Sequence, residues 1–294
     1  TYYRYNGQGL PIVLQDANGV QLTASYNALG QKLSVKDPNQ GNSSYQYNGF
    51  GELEQETDAN NLAIRFDYDL LGRQITRTSY SGSTVKDSAS FSYDTALKGL
   101  PYREIANGVT RTFGYDANAN LTSNTVQLDG KSFTNQYFYH SSTGQPSGMR
   151  YPNGLTVQYG YTTEGYPQTV SNLASGYVYR TIDSQDAFGN TLSASLGNGV
   201  HHDNQYDSET GWVNSLTAWR GSTRLHDVEY QLYDVYGNIR QVQNHVTGAA
   251  ENYDYDELHR LTNSTYSNMG FTVPISYSYD AVGNLLSKSD YANT

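Results

Sequence analysis

The sequence predicts an all-β protein built from about 13 consecutive β-hairpins. Three observations support this fold class: a tyrosine, aspartate and glycine pattern that recurs about every 23 residues, turn-forming dipeptides between its copies, and a large excess of tyrosine. Helical periodicity is absent along nearly the whole chain, and glycine and asparagine recur too often for long helices.

The repeat is most regular in the first quarter of the chain, where successive tyrosines and glycines are each 21 residues apart. Asp16, Asp37 and Asp58 keep the same spacing. We call the repeated tyrosine the anchor position, and Gln185 occupies one such position. The predicted anchor tyrosines are Tyr5, Tyr26, Tyr47, Tyr68, Tyr93, Tyr115, Tyr139, Tyr161, Tyr206, Tyr233, Tyr255 and Tyr279.

Turn chemistry explains the residues that follow each anchor. Aspartate or asparagine at the first position of a type I turn accepts hydrogen bonds from amides ahead of it. Glycine at the fourth position adopts a positive φ and closes the hairpin with a bulge. We call this the first turn of each repeat, and expect positive φ at Gly30, Gly51, Gly72 and Gly283. The predicted turn glycines are Gly9, Gly30, Gly51, Gly72, Gly165, Gly189, Gly237 and Gly283.

A second turn is predicted between successive anchors. Asn-Gly pairs, which are the strongest short hairpin signal, occur at Asn18-Gly19, Asn107-Gly108, Asn153-Gly154 and Asn198-Gly199. Two turns in about 23 residues leave two strands of roughly 7 residues, a common strand length.

Tyrosine is the most unusual feature of the composition, with 29 Tyr against 8 Phe and 2 Trp. Tyrosine favours strands and combines an apolar ring with a polar tip, so it suits a thin, half-buried sheet. An aromatic residue often lies two positions before the anchor, on the same strand face. We therefore expect a cross-strand aromatic ladder, with Tyr47, Tyr68 and Tyr115 substantially buried beside aromatic residues of adjacent hairpins.

The composition also limits the possible functions. A net charge of −10 disfavours nucleic acid as a partner. The absence of cysteine excludes disulfides and cysteine-based metal sites. No apolar run approaches the roughly 18 residues of a membrane span.

Two clusters of charged residues are candidate sites of chemistry. His201-His202-Asp203 lies at a predicted strand start, where neighbouring side chains point to opposite faces, so a polar strand start is favoured over a metal site. Asp254, Asp256 and Glu257 offer carboxylates, but Asp256 is already explained as a turn residue. His259 occupies a turn-glycine position, which a histidine tolerates. We predict no catalytic, cofactor or metal site and no enzyme activity.

From Tyr5 to Leu285 the chain resembles the YD- or Rhs-repeat family, which includes bacterial Rhs proteins, insecticidal toxin complex components and teneurins. The resemblance implies hairpins coiled into a spiral sheet that forms part of a hollow shell. In bacterial members it implies encapsulation of a C-terminal toxic effector. Residues 1–294 are interpreted as a repeat array from a longer chain, secreted or at the cell surface.

The chain departs from the family pattern at several anchors and turns. Gln185 replaces tyrosine, Ala119 and His259 replace turn glycines, and Leu97 occupies a third glycine position, so different or longer turns are expected there. Asp37-Pro38-Asn39-Gln40 is predicted to be a second turn, and not the family's self-cleavage segment.

Two functions remain open from the sequence. The first is a shell segment whose partners are flanking repeats and an effector domain of the parent protein. The alternative is an adhesion module that presents Tyr-rich strands to a cell-surface glycan or protein. The terminal repeats lack polar caps, so we expect contacts with partners through their strand edges.

Overall fold

The computed structural model describes residues 1–290, and this part of the chain contains 26 β-strands and no helix. The predicted all-β array of hairpins is confirmed. The strands belong to two compact units.

The first unit contains Thr1–Phe138 and Arg150–Gly154. Its strands are β1 (Tyr2–Tyr5), β2 (Pro11–Gln15), β3 (Gln21–Tyr26), β4 (Lys32–Asp37), β5 (Gly41–Tyr47), β6 (Leu53–Thr57), β7 (Leu62–Tyr68), β8 (Gln74–Ser81), β9 (Thr84–Tyr93), β10 (Pro101–Ala106), β11 (Val109–Tyr115), β12 (Leu121–Leu128) and β13 (Lys131–Tyr139).

The second unit contains Tyr139–Met149 and the described residues from Leu155 onward. Its strands are β14 (Pro146–Arg150), β15 (Thr156–Tyr161), β16 (Pro167–Asn172), β17 (Val178–Gln185), β18 (Thr191–Leu196), β19 (Val200–Tyr206), β20 (Val213–Arg220), β21 (Thr223–Tyr233), β22 (Ile239–Asn244), β23 (Ala250–Tyr255), β24 (Leu261–Asn268), β25 (Phe271–Tyr279) and β26 (Leu285–Lys288).

Each unit is a meander in which consecutive strands pair antiparallel. This holds from β1 to β13 in the first unit. It holds from β15 to β26 in the second. Repeats are numbered here by their odd strands, so that β1 begins repeat 1 and β25 begins repeat 13.

The pairing register shifts by one residue immediately before the anchor in most hairpins. Tyr68, for example, lies opposite Gln74, and the shift falls between Asp67 and Tyr68. A type I turn that ends in a glycine bulge inserts one extra residue and produces this shift. The bulge therefore sets where each anchor side chain lies relative to the next hairpin.

The core of each unit is thin, because described strands contact the strands before and after them in sequence. No described side chain is less than 2% exposed. The buried apolar residues are small, namely Val13, Ala89, Val157, Ala194, Val200, Ala218 and Ala249. Stability must therefore come from neighbouring hairpins, as expected for a repeat array.

Candidate functional site

The anchor positions mark the C-terminal ends of the odd-numbered strands. Each of the 12 anchor tyrosines is the last residue of its strand, and Gln185 ends β17 in the same way. The anchor tyrosines are half-buried, except Tyr5, which is 55% exposed.

At least seven anchor tyrosines link their hairpin to the preceding one. Each hydroxyl donates a hydrogen bond to the carbonyl of the first residue in the even strand of the preceding repeat, at 2.7–3.1 Å. We call this the inter-repeat tyrosine bond. Its donors are Tyr26, Tyr68, Tyr93, Tyr161, Tyr233, Tyr255 and Tyr279, and its acceptors are Pro11, Leu53, Gln74, Pro146, Val213, Ile239 and Leu261.

A different side chain serves the same acceptor position in repeat 10. Asn204 Nδ2 donates to the carbonyl of Thr191, the first residue of β18, at 3.0 Å. The acceptor is therefore a general feature of the hairpin, and tyrosine is the residue that most often reaches it.

The prediction of an aromatic ladder is wrong at Tyr47, Tyr68 and Tyr115. Tyr47, Tyr68 and Tyr115 are half-buried, and in the described part of the chain no aromatic ring of a neighbouring hairpin stacks on them. Corresponding anchors are two strands apart, roughly 9–10 Å. Ring pairs interact at about 4.5–7 Å, so each ring lies over the intervening strand instead.

The first turns have the predicted chemistry. In repeat 4 the Asp69 carboxylate accepts hydrogen bonds from the amides of Leu71 and Arg73, at 2.9 and 3.0 Å. The Gly72 amide donates to the Asp69 carbonyl, which closes a type I turn. All eight predicted turn glycines have φ between +76° and +98°, which includes the four for which positive φ was predicted.

Substituted turns keep the same geometry more often than expected. Ala119 and His259 have φ of +67° and +60°, and each donates its amide to the turn aspartate as a glycine would. Gln185 also precedes an ordinary turn. The prediction of different turns is therefore wrong at these positions, whereas the loop at Leu97 is longer, with Gly99 at φ +89°.

Arg73, the residue after the turn glycine of repeat 4, connects two successive first turns. Its guanidinium pairs with Asp69 of its own turn at 2.6 Å and with Asp94 of the next turn at 2.6 Å. It also lies 4.4 Å above the centre of the Tyr93 ring, the next anchor. The arginine thus covers an anchor ring and pairs with two turn carboxylates.

Other repeats use the same position in a similar way. Arg260 lies 4.9 Å above the ring of Tyr279 and donates to the carbonyl of Asp280 at 2.9 Å. Gln31 donates to the carbonyl of Gly51 at 3.2 Å. The residue after the turn glycine therefore ties neighbouring turns into a hydrogen-bonded row.

The electrostatics of this row favour ionised aspartates. Hydrogen bonds from the Arg73 side chain and then from the Gly99 amide lower the pKa of Asp94 to about 2. The pKa of Asp69 is also lowered, chiefly by the hydrogen bond from the Arg73 amide. At neutral pH these carboxylates remain acceptors for the turn amides.

The histidine cluster is divided between the two faces of β19. His201 Nε2 lies 3.2 Å from Asp203, and its Nδ1 lies 3.2 Å from Ser195 Oγ. His202 points to the opposite face, as alternation along a strand requires. Over residues 1–290, no group of three potential ligands is placed to hold a metal ion.

Two carboxylates of the acidic cluster in repeat 12 form ion pairs with arginines. Asp254 pairs with Arg240 at 2.7 Å, and Asp256 pairs with Arg260 at 2.7 Å. Asp256 also accepts the amide of Leu258 as the turn residue. These contacts give both carboxylates structural roles within the sheet.

Sequence reasoning missed two features of this surface. The inter-repeat tyrosine bond has a backbone acceptor, which no side-chain pattern reveals. The apolar residues at the third position of several first turns are strongly exposed, with Leu29 at 83%, Phe50 at 91% and Leu71 at 75%. Their 21-residue spacing was a signal that could have identified them.

Comparisons with known proteins agree with this geometry. The RHS Repeat family model matches residues 26–63. The chain is similar to the Photorhabdus luminescens Tc holotoxin pore mutated in TccC3, with 17% identity over 97% of this chain and 17% of the other, at a TM-score of 0.84. The TcdB2-TccC3-Cdc42 structure gives 17% identity, coverage of 100% and 18%, and a TM-score of 0.84. The TcdB2-TccC3 structure gives 16% identity, coverage of 96% and 18%, and a TM-score of 0.78.

The match of the repeat model over residues 26–63 and the shared fold confirm the resemblance to the Rhs- or YD-repeat family that was drawn from the sequence. The chain spans 17–18% of the length of the toxin-complex chains it matches. No curated protein matches its sequence. Residues 1–290 contain no helix long and apolar enough to cross a membrane.

Proposed function

We propose that this chain is a wall segment of an Rhs-repeat shell that encloses a toxic effector domain of its parent protein. The observation that carries the proposal is the fold, which matches toxin-complex chains over 97–100% of this chain at a TM-score of 0.84. The hairpins would continue into flanking repeats and curve into a spiral wall. A secreted location follows from this proposal.

The contacts between hairpins suit a wall. Backbone pairing joins neighbouring strands. Neighbouring hairpins are also joined by the inter-repeat tyrosine bonds and by the hydrogen-bonded row of first turns. A sheet one layer thick exposes two faces, and carboxylates such as Asp69, Asp94 and Asp256 serve as turn caps and arginine partners. The chain therefore offers a barrier built from hairpin contacts.

Protease protection of the full-length parent protein tests this role. We expect the segment that follows the repeats to be digested by proteinase K far more slowly in the intact parent protein than as an isolated fragment. Equal digestion rates in the two samples would show that the repeats enclose nothing. Heating the parent protein above its unfolding transition should remove the protection, which is the control for an intrinsically resistant segment.

The adhesion module stays a prediction. Binding of the isolated chain to a glycan array, abolished by replacing exposed tyrosines, would support it.

A further inference from the structure

A groove of about 480 Å³ lies in the first unit between the first turns of repeats 3 and 4. Its walls include Phe50 and Leu71, which are 91% and 75% exposed, and the half-buried rings of Phe66 and Tyr68. Exposed apolar side chains gathered in a concavity mark a site of interaction with another molecule.

The fold does not require apolar residues at these turn positions. The corresponding third turn residue is Gln8 in repeat 1, Asn118 in repeat 6 and Glu209 in repeat 10. Those turns have the same aspartate or asparagine cap, so Phe50 and Leu71 gain nothing from the turn itself. Their burial needs a partner.

The groove is strongly acidic. Glu52, Glu54, Asp67 and Asp69 line it, and its lining contains no lysine or arginine. Burial and then the charge of Glu52 raise the pKa of Tyr68, as a negative field at the ring requires. Asp69 is already paired with an arginine, so the remaining carboxylates set the charge that a partner meets.

This groove lacks an arginine that repeats 4 and 12 place over the next anchor ring. In repeats 4 and 12 the residue after the turn-glycine position, which His259 occupies in repeat 12, is an arginine that lies over the next anchor ring, at 4.4 and 4.9 Å. Repeat 3 has Glu52 at this position, and among residues 1–290 no lysine or arginine lies over the Tyr68 ring. Asn48 holds one oxygen of Glu52 at 2.7 Å, and the other oxygen lies beside Gly72.

We propose that this groove binds an extended segment of a partner protein in which an arginine is flanked by large apolar residues. The partner's guanidinium lies over Tyr68 and pairs with Glu52, as arginines of this chain do in other repeats. Its apolar neighbours cover Phe50 and Leu71. A second copy of this chain is a poor occupant, because its net charge of −10 opposes approach to an acidic groove. This proposal does not depend on the shell role.

Fluorescence anisotropy with a labelled hexapeptide tests the proposal. The probe carries arginine between leucine and phenylalanine, and its control carries citrulline, which is neutral and has the same shape. We expect the citrulline peptide to bind about tenfold more weakly, the loss of one desolvated cation–π and ion-pair contact. Added salt should weaken the arginine peptide more than the citrulline peptide.

Variants of this chain locate the site. Glu52→Arg should place a guanidinium over Tyr68, as in repeats 4 and 12, and reduce peptide affinity by at least about tenfold. Phe50→Ser should also weaken binding, and its exposed position leaves folding intact. Phe188→Ser is the matched control, since Phe188 is 72% exposed at the same turn position of repeat 9.

Three results would overturn the proposal. They are equal affinity for the arginine and citrulline peptides, unchanged binding by both the Glu52→Arg and Phe50→Ser variants, and equal loss in the Phe188→Ser control. Sedimentation that shows a dimer of the original chain and a monomer of the Phe50→Ser variant would assign the groove to a second copy instead, which also contradicts the proposal.

Discussion

The inter-repeat tyrosine bond can be removed without changing the shape of the anchor ring. Tyr68→Phe deletes the hydroxyl that donates to the Leu53 carbonyl at 2.8 Å and leaves the half-buried ring in place. A neutral hydrogen bond contributes about 1 kcal/mol net. The carbonyl lies near the sheet surface, where water can replace the lost donor, so we expect a loss of no more than about 1 kcal/mol.

Hydrogen exchange measured by mass spectrometry suits this perturbation, because repeat arrays open locally and a global unfolding midpoint averages many hairpins. A loss of about 1 kcal/mol should accelerate exchange of amides in β6 and β7 about fivefold. Peptides from the second unit should be unaffected.

Tyr47→Phe is the matched control. Tyr47 occupies the anchor position of the preceding repeat, and among the described residues its hydroxyl makes no hydrogen bond. Its removal should change exchange by less than twofold. Unchanged exchange in Tyr68→Phe, or an equal acceleration in Tyr47→Phe, would refute a stabilising role for the inter-repeat tyrosine bond.

Four further substitutions test the turns. Ala119→Gly should stabilise the chain by about 1 kcal/mol in urea unfolding, because alanine at φ +67° is strained. His259→Gly should not stabilise it, because the histidine ring loses its hydrogen bond with Asn238 and its contact with Tyr236. Gly41→Ala should destabilise the chain by at least about 1 kcal/mol, because Gly41 has a φ of +83° and an added Cβ would lie 2.4 Å from the Cβ of Ala59. An unfolding midpoint equal to that of the original chain would contradict this. The pKa of Asp94 falls to about 2 in the folded chain, so the stabilisation from this carboxylate is complete above its unfolded pKa of about 3.9 and is lost as pH falls toward 2. Asp94→Asn should therefore make the unfolding midpoint less dependent on pH between pH 5 and 2. An unchanged pH dependence would contradict this.

Local chemistry made the hairpins predictable from sequence. Most anchor tyrosines end strands because the following aspartate or asparagine caps a turn within five residues. The positive φ of Gly72 follows from the same short-range rule. His259 keeps the ordinary turn geometry at a glycine position, with a φ of +60°, so the short-range rule holds there without glycine.

Contacts between hairpins were harder to predict. Tyr68 was expected to meet an aromatic ring, but the strand between two anchors separates the rings, and a carbonyl is the partner. The acidic groove depends on Glu52, which occupies a position where repeats 4 and 12 have arginine. The importance of this position is evident only from the structure, in which Arg73 lies above the Tyr93 ring. Such features depend on three-dimensional distances that a one-dimensional period does not contain.

The pairing of each strand with its immediate neighbours in sequence has a consequence for synthesis. Each described hairpin can form as soon as its two strands have left the ribosome, because within residues 1–290 strands contact their neighbours in sequence. The growing chain then adds each new hairpin to an already folded template, with little apolar surface waiting for a distant partner. Vectorial, co-translational folding of this kind would allow an array of such hairpins to be lengthened by whole repeats without slowing its assembly.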